Sequence, residues 1–441
     1  MDERAKAAQE GNHRIEFLAR PGVHLLSENL QQLSRNQMPA AAFSSNIGGM
    51  SAHWTCACPS PGRGERIPFI AESEQMDAFS KAKALLSVTQ DAFPETPESL
   101  AIQRILGNFL NDKLPTDRQV QKMPLACKVN ERGELYWVGA DVILGKLAEP
   151  NYKSNFEIHS DTLCRRLNTE GGKITSAVLE NLKTKTQEVV KAKIFIVAAD
   201  AYRTPQLLWA SNIRPKALGH YLNEHPFIFT FVALKDALID KSASAKTYDP
   251  SQRKEPTIGV FWVPFDAVHH PHHGQVMHMD VSPIKIATRG NPKHIVGLGW
   301  GCLKEMRFED HIEFSKTAKD WLGMPQMTLK FGYTEQDKKA IADTFRMQKE
   351  IAAAFGKTLD EGTQTLMPAG MSLHTQGTVR MGEWNDGTSV CNSYSKVWNY
   401  DNLFVGGNGV IPTPLTCNIT LSSVAMAVRS AEKMIKDCFA H

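Results

Sequence analysis

The sequence has no hydrophobic run long enough to cross a bilayer. Its longest apolar stretch, PFIFTFVAL at residues 226–234, is about half of the ~20 residues that a membrane-spanning helix needs. The amino-terminal segment MDERAKAAQEG lacks the apolar core of a secretory signal. We therefore expect no membrane association and a location in the cytoplasm or elsewhere inside the cell.

Cysteine and net charge are also in short supply. The 8 cysteines are scattered over 441 residues, which argues against the disulfide framework of a small secreted protein. Cys56 and Cys58 lack the two-residue spacer of zinc and redox motifs, so we predict no metal site. The net charge is only +3, from 50 basic and 47 acidic residues. Since the basic residues form no stripe, nucleic acid is not an expected partner.

The residues that are present describe an ordinary globular chain. Hydrophobic residues make up 42% and charged residues 22% of the sequence, which is close to the globular average. A chain of this length is about three times a typical domain, so it favours two domains or one large interwoven one. We found no internal repeat and no low-complexity tract.

Several segments have clear periodicity. Residues 62–112 and 334–355 read as helices, the latter with a cap at Thr334, and residues 418–439 form a strongly amphipathic helix. Alternating runs separated by turn residues predict strands over 155–192. The apolar run KIFIVAAD at 193–200 predicts a parallel strand buried on both faces. A helix with proline in its first turn follows from Thr204, and this order indicates an α/β fold.

Three segments carry chemistry-bearing residues. The first is GGMSAHWTC at 48–56, which fixes a histidine after a glycine turn; alone, such a histidine is more often structural than catalytic. The second is LHTQGTVRMG at 373–382, and the third is NLFVGGNGVIPT at 402–413, followed by Asn418. Together the three resemble the pyranose 2-oxidase group of the glucose-methanol-choline (GMC) oxidoreductase superfamily.

The resemblance implies a fold, a cofactor and a reaction. The fold would be a Rossmann-like FAD-binding domain of residues 1–60, 152–222 and 371–441, with a helical cover and a substrate domain of residues 61–151 and 223–370. The reaction would be FAD-dependent oxidation of a sugar hydroxyl at C2 or C3. Oxygen or a quinone would be the acceptor, and hydrogen peroxide the product of oxygen. His374 and Asn418 would be the catalytic pair, because a neutral imidazole accepts a proton near neutral pH and an amide orients a hydroxyl without changing charge.

The same resemblance implies the cofactor contacts. His53 would carry the flavin covalently, which raises the reduction potential of the ring, and Thr55 would lie beside the flavin N5. The segment around Ala199 would pass the adenosine end. The full set of expected cofactor-binding residues is His53, Thr55, Trp54, Gly48, Gly49, Met50, Ser51, Cys164, Ala199, Gly407, Asn408 and Thr420.

The sequence departs from the family pattern in several places. It contains no GxGxxG turn for the pyrophosphate, so the FAD-binding domain is expected to be truncated at its amino terminus. A truncated reading of a longer gene, a split enzyme completed by a second chain, and a flavin-free sugar- or partner-binding relic all remain open, as does a homo-oligomer. Asp200 stands where the family has glycine, and Val379 where fungal members have histidine.

One cluster invites a different interpretation. Five histidines and an aspartate lie at His269, His270, His272, His273, His278 and Asp280. These are metal-ligand types, but their spacing fits no defined site. We interpret this segment as a loop beside the sugar pocket, followed by a substrate-recognition loop at 280–289.

Overall fold

The fold combines helices and strands, as expected from the sequence. The computed structural model describes residues 23–26, 37–93, 95–129, 131, 135–149, 152, 155–238, 259–278, 294–359 and 364–438. Asp280 and the predicted recognition loop at 280–289 lie outside these residues. The helices of the described part are α1 (Glu72–Leu85), α2 (Pro97–Leu110), α3 (Ala140–Leu144), α4 (Asp200–Ala210), α5 (Glu335–Phe355) and α6 (Thr420–Cys438).

The strands of the described part are mostly short. They are β1 (Val23–Leu25), β2 (Ala42–Ser44), β3 (Val88–Thr89), β4 (Gln121–Lys122), β5 (Leu125–Val129), β6 (Leu135–Trp137), β7 (Thr162–Glu170), β8 (Lys173–Asn181), β9 (Gln187–Val190), β10 (Phe195–Val197), β11 (Phe227–Leu234), β12 (Val260–Val263), β13 (His272–His278), β14 (Ile295–Cys302), β15 (His311–Lys319), β16 (Pro325–Lys330), β17 (Gly356–Thr358), β18 (Thr365–Leu366), β19 (Met381–Gly382), β20 (Cys391–Asn392) and β21 (Leu403–Val405).

The largest sheet has the order β17-β11-β14-β13-β12-β4, and β18 also pairs with β11. Its neighbouring strands are antiparallel. Helix α5 packs on β11 and β14, and Phe355 and Trp300 are fully buried in the core between them. This sheet carries β13 and the start of β11, which supply side chains to the site described below.

A second unit contains the parallel pair β10 and β21, in register from Phe195 opposite Leu403 to Val197 opposite Val405. The parallel pairing confirms the prediction made from KIFIVAAD. Burial on both faces was wrong, because Ile196 is 58% exposed while Phe195 and Val197 are buried. Only one face of this strand is therefore covered by the described residues.

Helix α4 follows β10 directly but begins earlier than predicted, at Asp200, which places Pro205 inside the helix. Proline has no N–H to donate, so the carbonyl four residues earlier loses its helical partner. That carbonyl belongs to Ala201, and it accepts a hydrogen bond from the Thr378 hydroxyl at 2.5 Å. The tertiary contact replaces the missing helical bond.

The predicted strands of residues 155–192 form the antiparallel sheet β7-β8-β9. Its first turn uses Gly171 and Gly172, both with positive φ, which glycine adopts at no steric cost. Helices α1 and α6 pack on each other and share a core with β10 and β21. The domain boundaries drawn from the sequence stay a prediction.

The described residues contain neither a disulfide nor a membrane-spanning helix. Their cysteines are free thiols, and most are buried. Among the helices of the described ranges, none combines the length and hydropathy that a membrane crossing requires.

The cap of α5 gives a test of local stability. Thr334 accepts a hydrogen bond from the Asp337 N–H at 3.1 Å, and the Asp337 carboxylate accepts one from the Thr334 N–H at 2.9 Å. Thr334→Ala removes the first bond and should lower the free energy of unfolding by about 1 kcal/mol. Urea titration followed by circular dichroism measures this, with the exposed Lys339→Ala on the same helix as the control. An equal loss in both variants would contradict the capping role.

Candidate active site

His374 and Asn418 are 44 positions apart in the chain and adjacent in space. His374 Nε2 lies 3.3 Å from Asn418 Nδ2. Asn418 is buried, two residues before α6 begins. Desolvation by the surrounding protein lowers the pKa of His374 from 6.5 to about 4, because it disfavours the charged form. His374 is therefore neutral at pH 7 and has a lone pair to accept a proton.

The turn that carries His374 depends on close backbone contacts. Gly370 has a φ of 95°, and a Cβ placed there would come within 2.1 Å of the Ala41 nitrogen. Ala40 donates its N–H to the Ala369 carbonyl at 3.0 Å. Only glycine allows the turn to lie this close to residues 40–41. The packing of Ala42 with Leu373 and Met371 extends the same contact.

The side chain of Glu224 binds the backbone of this turn. Its carboxylate accepts hydrogen bonds from the backbone N–H groups of Gly370 and His374, the latter at 3.4 Å. Burial raises the pKa of Glu224 from 4.5 to about 7, while Ser372 and the backbone donors act in the opposite direction. Glu224 was not among the residues predicted from the sequence. The available signal was a pair of adjacent ionisable residues, Glu224 and His225, immediately before the apolar run at 226–234.

His225 backs the imidazole of His374. Its Nε2 lies 2.7 Å from His374 Nδ1, and the two rings stack with centroids 5.0 Å apart and planes tilted by 16°. Burial and the neighbouring imidazoles hold the pKa of His225 well below 6.5. Both nitrogens of His374 thus have defined neighbours, Asn418 on one side and His225 on the other.

Three of the five clustered histidines, His272, His273 and His278, lie in a buried strand rather than in the loop that we expected, whereas His269 and His270 lie in the turn before it. Residues 272–278 form β13, paired with β12 and β14, and His273 is fully buried. Burial lowers the pKa of His273 to about 3. Among the described residues, no group of histidine, cysteine, aspartate or glutamate side chains is arranged to hold a metal ion.

The strand nonetheless reaches the site. Gln275 Nε2 donates to Asn418 Oδ1 at 2.6 Å and lies 3.0 Å from His273 Nε2. Trp262 Nε1 donates to His273 Nδ1 at 3.1 Å. The alternation of side chains along β13 points residues 273 and 275 to the same face of the sheet. No sequence pattern indicated that this face meets Asn418.

His53 follows a short 3-10 helix at Gly49–Ala52, which starts after Gly48 in the left-handed conformation, with φ 90°. His53 Nε2 lies 2.8 Å from Asn46 Nδ2. The Trp54 indole donates to the Val138 carbonyl at 3.0 Å, and Ser51 Oγ accepts from the Ala140 N–H at 3.2 Å. These bonds fix the turn on α3 and leave Thr55 exposed.

The other expected cofactor residues lie in several separate segments. Gly406 donates its N–H to the Val197 carbonyl at 2.9 Å, which brings the turn with Gly407 and Asn408 beside the end of β10, next to Ala199. Val379 N–H donates to the Gly409 carbonyl at 3.0 Å, so this turn is continuous with the segment of His374. Thr420 begins α6, whereas Cys164 lies in β7, half-buried, with its Sγ 3.8 Å from the Arg166 carbonyl.

The sequence matches known proteins over most of its length. Residues 141–227 and 311–427 each match a sequence profile described as GMC oxidoreductase. A C-glycoside 3-oxidase of Microbacterium trichothecenolyticum is 42% identical over 416 residues, which are 94% of this chain and 79% of that protein. A pyranose 2-oxidase of Tricholoma matsutake is 31% identical over 442 residues, covering 93% of this chain and 76% of its own.

The solved structures agree in fold. A pyridoxine 4-oxidase from Mesorbium loti superimposes with a TM-score of 0.62 at 17% identity, over 89% of this chain and 84% of that one. A formate oxidase structure superimposes with a TM-score of 0.65 at 11% identity, over 90% of this chain and 85% of its own. From the sequence matches and the shared fold, the chain belongs to the GMC oxidoreductase family.

Proposed function

We propose that this protein oxidises a secondary hydroxyl of a pyranose sugar or glycoside to a ketone, using FAD. The observation that carries the proposal is the pair of half-buried His374 and buried Asn418, 3.3 Å apart, with His374 neutral. Support for a sugar comes from relatives named C-glycoside 3-oxidase and pyranose 2-oxidase, at 42% and 31% identity.

The side chains suit the proton half of such a reaction. The lone pair of His374 Nε2 accepts the hydroxyl proton, and the Asn418 N–H donates to the hydroxyl oxygen, which becomes the ketone oxygen. Holding that oxygen between two fixed groups also orients the C–H bond. FAD held by the residues described below would supply the hydride acceptor for that bond and a route for two electrons to oxygen or a quinone.

The residues present fit FAD at two glycine turns, one with Gly407 and one with Gly49. Gly407 has a φ of 85° and Gly49 a φ of 58°. A Cβ built on either glycine would meet no heavy atom within 4 Å. Backbone at both points is therefore open to a ligand. We propose that the segment 48–55, including His53, holds the ring system. Ala199, Gly407, Asn408, Thr420 and Cys164 would supply the other cofactor contacts.

The oxidised carbon is the finer part of the proposal. The C-glycoside 3-oxidase and the pyranose 2-oxidase each match more than nine-tenths of this chain. The greater identity to the C-glycoside 3-oxidase favours C3 of a glycoside over C2 of a free sugar. Identification of the keto product by NMR, after incubation with glucose and with a C-glycoside, separates the two positions.

Replacement of His374 tests the base. His374→Gln keeps a polar side chain but cannot take a proton, so sugar-dependent flavin reduction should fall by about 10²–10⁴-fold. The visible spectrum of bound flavin should stay unchanged. Stopped-flow reduction in the absence of oxygen measures the rate, and the exposed His159→Gln is the matched control. Reduction at the unmodified rate would remove His374 as the base.

Replacement of His53 tests the flavin linkage. Protein that stays yellow after acid precipitation carries covalent flavin, and His53→Ala should release that flavin into the supernatant. The exposed His269→Ala should retain it. Flavin that remains with the precipitated His53→Ala protein would show that another residue forms the bond. Colourless purified protein that takes up no added FAD would contradict the proposed function itself.

A further inference from the structure

Asn418 is oriented by two donors on the large sheet. Its Oδ1 accepts a hydrogen bond from Gln275 Nε2 at 2.6 Å, and it also lies within hydrogen-bonding reach of His273. Trp262 Nε1 can only donate, and it is bound to His273 Nδ1 at 3.1 Å. The proton of neutral His273 is therefore on Nε2, from which it can donate to Asn418 but not to the Gln275 Nε2 that lies 3.0 Å away.

These contacts decide which end of the Asn418 amide meets His374. With its oxygen bound by Gln275 and His273, Asn418 turns its Nδ2 to His374 Nε2, 3.3 Å away. An amide nitrogen donates, so His374 Nε2 must present its lone pair. The single proton of a neutral His374 is then on Nδ1.

The neighbour of that Nδ1 is His225 Nε2, at 2.7 Å. Since His374 donates there, His225 must accept, and its own proton belongs on Nδ1, where the Pro226 carbonyl lies beside the ring. No atom of the described residues meets hydrogen-bond geometry with His225 Nδ1. Space for this ring exists because residue 301 is glycine: a Cβ there would come within 2.6 Å of His225 Nδ1.

We propose that His225 is a positioning residue that holds His374 in the tautomer able to accept a proton at Nε2. This inference rests on the proposed function. A neutral His225 is required, because a protonated one would donate from Nε2 and force the proton of His374 onto its Nε2. Once His374 has taken the hydroxyl proton, its bond to His225 becomes charge-assisted and stronger.

Two variants of His225 separate positioning from packing. His225→Gln keeps an acceptor within reach, while His225→Leu fills a comparable volume without one. In ¹⁵N-histidine-labelled protein as purified, the wild-type resonance of His374, assigned with His374→Gln, should show an unprotonated Nε2. His225→Gln should preserve this tautomer, and His225→Leu should give a mixture with proton on Nε2.

The kinetic readout should follow the spectrum. Loss of the hydrogen bond to a ring that becomes charged should slow flavin reduction by about 10- to 100-fold in His225→Leu, with little change in KM. His225→Gln should recover most of the rate. Equal losses in both variants would reduce His225 to a packing residue and overturn the proposal.

A second route reaches the same ring without replacing it. Gly301→Ala should push His225 away from His374 and reproduce the tautomer mixture of His225→Leu, whereas Gly259→Ala, whose Cβ would only reach van der Waals contact with Phe261 at 4.0 Å, should not. Wild-type protein with the proton of His374 on Nε2 would overturn the inference at once. The tautomer is read without turnover, so an inactive protein with an unprotonated Nε2 would contradict the proposed function and leave the positioning role standing.

Discussion

The buried carboxylate of Glu224 is the contact on which the candidate site depends. A carboxylate inside a protein is costly unless it is hydrogen-bonded, and this one is compensated by backbone N–H groups of the turn from Gly370 to His374. Because Glu224 and His225 are consecutive, one segment binds both the backbone of the turn and the imidazole that it carries. The position of His374 is therefore fixed from one side by two neighbouring residues.

The rest of the site comes from distant parts of the chain. Gln275 and His273 belong to β13 in the large antiparallel sheet, and Asn418 precedes α6 in the unit with the parallel strands. The hydrogen bond between Gln275 and Asn418 joins these two units at the site. A shift of either unit would move the amide relative to the imidazole, so the precision of the site depends on how the two units pack.

Local sequence signals predicted local structure well. The Thr334 cap, the glycine turn between β7 and β8 and the amphipathic helix α6 depend on interactions within a few residues, and all three were confirmed. The start of α4 was wrong because Thr378, 177 residues away, binds the carbonyl that Pro205 leaves unpaired. The part of the histidine cluster at 272–278 was wrongly predicted as a loop because polar residues in a buried strand carry no hydrophobic alternation.

The sequence alone determined the family and the pair of His374 and Asn418, because these residues lie in short motifs whose spacing survives in the linear order of the chain. The catalytic role of this pair and the role of His53 stay predictions from the same source. Only the tertiary structure decided which side chains surround the pair. Glu224, His225 and Gln275 meet it through sheet pairing and the packing of separate segments, and contacts of that kind leave no pattern in neighbouring residues.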